Sequence, residues 1–86
     1  MPIFYLHIHE DDHSLDDLEG IDAADINAAV IEAVSGMRSI IAQQFMNEEA
    51  VTLRAIEIRN SDGELLRTVS LREAVEGVLP AELSDP

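Results

Sequence analysis

Three histidines and a dense run of carboxylates are the residues of this chain that could do chemistry. His7 and His9 stand two apart, followed by His13, and eight of the sixteen residues from Glu10 to Asp25 are acidic. On an extended strand, residues two apart project from one face. Two imidazoles beside several carboxylates are a donor set that suits zinc or nickel. The candidate metal ligands are therefore His7, His9 and His13, and a site would need the third at coordination distance. The ordinary alternative is that the histidines are hydrogen-bonded and unliganded on a half-buried sheet face. Calcium suits the acidic run less well. The segment lacks both the Asp-x-Asp-x-Asp-Gly order and the later bidentate glutamate of a calcium loop. A charge run of this kind most often lies in water as a solvated loop.

Other chemistries are bounded by what the chain lacks. It has no cysteine, no lysine and no tryptophan. Disulfides, thiolate metal sites, Schiff bases and lysine phosphate loops are thus excluded. Six serines are scattered, none in a Gly-x-Ser-x-Gly setting, and no glycine-rich phosphate loop is present. Asp16-Asp17 and Glu48-Glu49 are adjacent in sequence, and neighbours on a helix or strand diverge. The expectation is a non-catalytic protein with no implied cofactor.

The net charge of −13 arises from eighteen carboxylates against five arginines. Such a surface repels nucleic-acid phosphates and anionic membranes alike. A basic protein is the partner it suits. No apolar run approaches the roughly 20 residues that cross a bilayer, and Met-Pro-Ile-Phe-Tyr-Leu lacks the basic region of a signal peptide. The expected location is cytoplasmic.

The elements that must position these residues follow from periodicity. Ile3 to His9 alternates like a strand, with Phe4, Leu6 and Ile8 on one face and Tyr5, His7 and His9 on the other. Within the acidic loop, Leu15 and Leu18 suit a short extended piece. Asp22 can cap a helix running from Ala23 to about Asn47, with Ile21 and Ile26 as a hydrophobic staple. The predicted core line of that helix is Ala23, Val30, Val34, Met37, Ile41 and Phe45, flanked by Ile26, Ala33 and Ile40 and by Ile31. That apolar arc exceeds the roughly 100° which one sheet can cover. Gly36 in its interior is either tolerated or marks the close approach of another helix.

Leu53 to Asn60 and Glu64 to Ser70 form a hairpin around Asn60-Ser61-Asp62-Gly63, a type I turn followed by a left-handed glycine. Carried outward, that turn sets Ile58 opposite Leu66, Ile56 opposite Thr68, Glu57 opposite Arg67, and Ala55 opposite Val69. Ser70-Leu71-Arg72-Glu73 is a capping box for a short helix to about Glu76, ended by Gly77. Pro80 to Pro86 reads as a frayed tail.

This gives an α+β fold of order β-α-β-β-α in one domain over residues 1–79. A small antiparallel sheet carries the long helix on one face. The second face would present Tyr5, His7, Ala55, Leu65 and Val69. With Ile31 and Ile40 on the helix flanks, these are the candidate interface residues of a homodimer, the alternatives being partial cover by the short C-terminal helix through Leu71, Val75 and Val78, or a ligand surface.

The order of motifs also resembles a known family. The pieces are Met1-Pro2 with an aromatic strand ending in His7, Leu18-Glu19-Gly20, and an alanine-rich helix. After them come Ile56-Glu57-Ile58, Asp62-Gly63, Leu66 and the closing Val69-Ser70-Leu71. Together they resemble small alphaproteobacterial proteins grouped as a domain of unknown function, over residues 1–78. Glu10-Asp11-Asp12-His13 replaces the Asp-Gly usual after the first strand, Leu71 stands where phenylalanine is usual, and His9 is not a family position. The resemblance implies a shared fold and supplies no catalytic residue. Three functions fit the sequence. The first is an interaction module, homodimeric, whose acidic loop meets a basic protein. The second is a divalent-metal or small-ligand sensor using His7, His9 and acidic residues of the loop, and the third is an acidic mimic of nucleic acid.

Overall fold

A computed structural model of the protein describes residues 2–76. Strands β1 (Ile3–Glu10), β2 (Ser14–Leu15) and β3 (Ile21–Asp22) precede helix α1 (Ile26–Met46). They are followed by β4 (Leu53–Arg59), β5 (Leu65–Ser70) and helix α2 (Leu71–Val75). The sheet is antiparallel in the order β2-β1-β4-β5, and β3 pairs with β1 beside β2. The fold is therefore α+β, with the long and short helices that the sequence predicts. Glu76 closes α2 as its C-cap. Gly77, Val78 and the expected tail at 80–86 lie outside the described residues.

β1 alternates as its sequence requires: Leu6 sits opposite Ile58 and Ile8 opposite Ile56, while Tyr5 meets Arg59 and His7 meets Glu57. Met37, Leu53, Ile58 and Val69 are the largest fully buried side chains among the described residues. Ala29 and Ala33, both fully buried, bring no bulk to the helix–sheet contact and so let α1 approach closely.

Three expectations are corrected. Helix α1 starts at Ile26, capped by Asp25, whose side chain accepts from the Ala28 N–H. Asp22 cannot cap it because Ile21–Asp22 pairs with Ile3 and Phe4 as β3, and the Ala23 N–H donates to the Pro2 carbonyl. Within α1 the buried line is Ala29, Ala33, Met37 and Ile41. A row at spacing four precesses by about 40° per step, so Phe45 has rotated out of the contact and is 70% exposed.

The third correction concerns the hairpin. The turn forms as expected, with the Gly63 N–H donating to the Asn60 carbonyl at 3.0 Å and Gly63 at φ +81. Arg59 pairs with Leu65, but the register shifts before Ile58, which pairs with Arg67. Leu66 is the extra residue of a β-bulge. Beyond it Ile56 meets Val69 and Glu57 meets Thr68. A slip of one residue exchanges the faces of a strand. Val69 consequently enters the core with no exposure and is not an interface residue. Arg67 turns to the helix side and pairs with Glu73, replacing the expected Glu57–Arg67 pair.

Candidate functional site: an anchored acidic loop

The segment from Glu10 to Asp25 is held to the sheet at several points. β2 pairs Leu15 with Ile8 and Ser14 with His9; β3 pairs Ile21 with Phe4. Between them the outer edge of β1 is met by one side chain, Asp17. Its Oδ2 accepts from the Leu6 N–H at 3.1 Å. Its Oδ1 accepts from the N–H groups of Glu19 and Gly20 at 3.1 and 3.0 Å. A carboxylate thus covers a strand-edge donor that the gap between two short strands would leave open. Burial opposes its ionisation, but the Gly20, Leu6 and Glu19 donors prevail and hold the carboxyl below the usual aspartate value.

The same residue explains His7. The Asp17 N–H donates to His7 Nδ1 at 3.0 Å, which fixes the ring proton on Nε2; the Asp16 carboxylate lies 3.8 Å from that Nδ1. His9, on the same face, turns toward β4, with Nε2 3.2 Å from Glu57 Oε1. Arg59 holds the same oxygen at 3.1 Å. His9, with help from Arg59, keeps the Glu57 carboxyl below its ordinary value. His13 sits between two carboxylates, Asp12 Oδ1 at 2.6 Å and Glu10 Oε2 at 2.8 Å. Its pKa is raised, first by the Asp12 hydrogen bond, because both ring nitrogens can donate only as imidazolium.

His7 and His9 share a face as expected, yet each of the three histidines engages a different partner. Among the described residues no group of three His, Asp or Glu side chains is placed to hold a metal ion. The loop instead shows carboxylates to solvent: Asp11, Asp12, Asp16, Glu19, Asp22 and Asp25 are exposed. Leu15 forms the expected extended piece, whereas Leu18 does not tuck under and is 88% exposed.

Of the expected interface residues, Tyr5, His7 and Ala55 are half-buried on the sheet face away from α1. Leu65 is 46% exposed opposite Arg59, Ile31 is 68% exposed on α1, and Ile40 is half-buried. Sequence reasoning missed the roles of Asp17 and Arg38. Asp17 stands two and three residues before Glu19 and Gly20, the spacing of an Asx turn, so a signal for it was present. Arg38 donates through Nε to the Ala74 carbonyl at 2.8 Å, tying α1 to α2, and no local pattern announces such a contact.

No helix among the described residues is long and apolar enough to cross a membrane. Neither a curated protein nor a solved structure is significantly similar to the chain. A family model does match, over residues 3–72, and its span includes the aromatic first strand, the acidic loop, α1 and the hairpin. The chain belongs to the family described as Domain of unknown function (DUF6894).

Proposed function

We propose that the protein is a non-catalytic interaction module, self-associating, whose acidic loop receives a basic protein segment. The observation that carries this reading is the anchoring of the loop. Asp17 directs its charge at three backbone donors, and the paired strands on either side fix the frame from which Asp11, Asp12, Asp16 and Glu19 project into solvent. Carboxylates held in place lose less entropy on meeting a partner than the same charges on a free chain. They also steer a cationic partner at long range.

The test uses an oligo-arginine peptide, with fluorescence anisotropy followed against salt. Wild type should bind with an affinity that falls as salt rises. The variant Asp11→Asn/Asp12→Asn/Asp16→Asn/Glu19→Gln should bind about tenfold more weakly, since exposed ion pairs each contribute about 0.2–1 kcal/mol. Equal affinity of the two proteins would sink the loop's role. The nucleic-acid-mimic reading uses the same carboxylates, and it would be favoured if DNA-binding proteins were captured in preference to other basic chains. The sensor reading gains no support from the diverging histidines. A rise in thermal stability with zinc or nickel would revive it.

A further inference from the structure

Beside its buried line α1 carries a row of Ile31, Val34, Arg38, Ala42 and Phe45, of which Val34 is half-buried against the core and the other four are exposed. Their spacing of three and four confines them to an arc of about 80°, the pattern of a helix–helix seam. Ile31 is 68% and Phe45 70% exposed. Two adjoining grooves lie along this row. One, of about 530 Å³, is lined by Val30, Ile31, Val34 and Arg38 among others. The other, of about 430 Å³, runs between Phe45, Ile41 and the α2 side chains Leu71 and Val75. Arg38 and Ala42 border both, so the two lie side by side. The Arg38 guanidinium is drawn to the Ala74 carbonyl, which leaves its aliphatic stem on the seam.

Charge identifies the occupant. In a chain of net −13, α1 holds one acid, Glu32, and one base, Arg38, over 21 residues. Two copies meeting through their loops would press carboxylates together, a like-charge contact that opposes association. Meeting through α1 they would join neutral apolar strips about 31 Å long. A basic partner would gain nothing from a neutral strip and everything from the loop. We infer that the Ile31–Val34–Arg38–Ala42–Phe45 face of α1, with the groove it shares with α2, is the surface on which a second copy of this chain docks. The contact is isologous, each copy supplying both the ridge and the groove. This inference rests on the self-associating part of the proposed function; of the expected interface residues it keeps Ile31 on the helix and leaves out those of the sheet face.

The test is sedimentation velocity on untagged protein at about 100 μM. Wild type should run as a dimer, and Ile31→Ser/Phe45→Ser should dissociate at least about tenfold more readily, as expected for central apolar anchors. Serine is chosen because a further carboxylate could disperse any dimer of so acidic a chain. Thermal melts should show the serine variant folded. The single variants Ile31→Ser and Phe45→Ser, each with half the change, keep the test open if the double variant fails to fold. A monomeric wild type would overturn both this inference and self-association itself. A dimer that survives the α1 variants but separates in Tyr5→Ser/Leu65→Ser would overturn the α1 face alone. A dimer untouched by either pair would also overturn it.

Discussion

At the scale of single residues, Asp17 carries the clearest consequence. It is one of eighteen carboxylates, and it accepts three backbone hydrogen bonds. Hydrogen bonds to a charged group contribute about 1.5–3 kcal/mol each, and lost partners are partly replaced by water in a loop. Asp17→Ala should therefore destabilise the fold by about 2 kcal/mol at pH 7, measured by urea unfolding. Its carboxyl is depressed in the folded state, so the contribution is full above the unfolded value near about 3.9 and is lost as pH falls through the folded value. The gap between wild type and Asp17→Ala should accordingly close on acidification below about pH 4. A gap that stays constant would show that the side chain acts through shape rather than charge. Asp17 was visible in the sequence only as one more acid, because its Asx spacing gains meaning once Leu6 is known to need an acceptor.

At the scale of elements, the glycines and one helix end separate backbone from packing effects. Gly20 has φ +77, and an added Cβ would lie 2.6 Å from Ile3 Cγ2 and 3.1 Å from the Phe4 carbonyl oxygen. Gly20→Ala should cost about 2–4 kcal/mol by combining strain with a clash against β1. Gly36 lies inside α1 with nothing among the described residues within 4 Å of an added Cβ, so no close helix approach among them explains it. Gly36→Ala should stabilise by about 0.5–1 kcal/mol. Denaturation midpoints of the pair should move in opposite directions; movement in the same direction would refute the assignment. The end of α1 is a Schellman arrangement, with Glu49 N–H donating to the Gln44 carbonyl and Glu48 N–H to that of Phe45. Glu48 occupies its left-handed position at φ 56, where glycine is favoured. Glu48→Gly should raise stability by about 0.5–1 kcal/mol, read from the same unfolding curves.

For the whole molecule, charge matters most. Seven pairings bring a cation or histidine within 4.0 Å of a carboxylate among the described residues. Most of these involve half- or well-exposed groups, whose net worth is small. Repulsion among unmatched carboxylates therefore outweighs attraction, and salt should stabilise the protein by screening it. Thermal melts from about 20 to about 300 mM sodium chloride should shift upward by a few degrees. A downward shift would mean that the ion pairs dominate after all.

The sequence by itself determined the class of each main element, since periods of two and of 3.6 are local properties. It also determined the Asn60–Gly63 turn, whose geometry four residues specify, and the charge that restricts partners. The end of α1 near Asn47 was legible as well. Tertiary structure decided what depends on pairing. Consecutive Leu65 and Leu66 offer no alternation, so the bulge and the placement of Val69 in the core appear only when β5 meets β4. Asp22 and Asp25 are both good helix caps in isolation, and the pairing of β3 with β1 selects Asp25. The histidines show the same division. Residue type supplied ligands, strand geometry set His7 and His9 on one face, and the partners Asp17, Glu57, Glu10 and Asp12 drew the three rings apart.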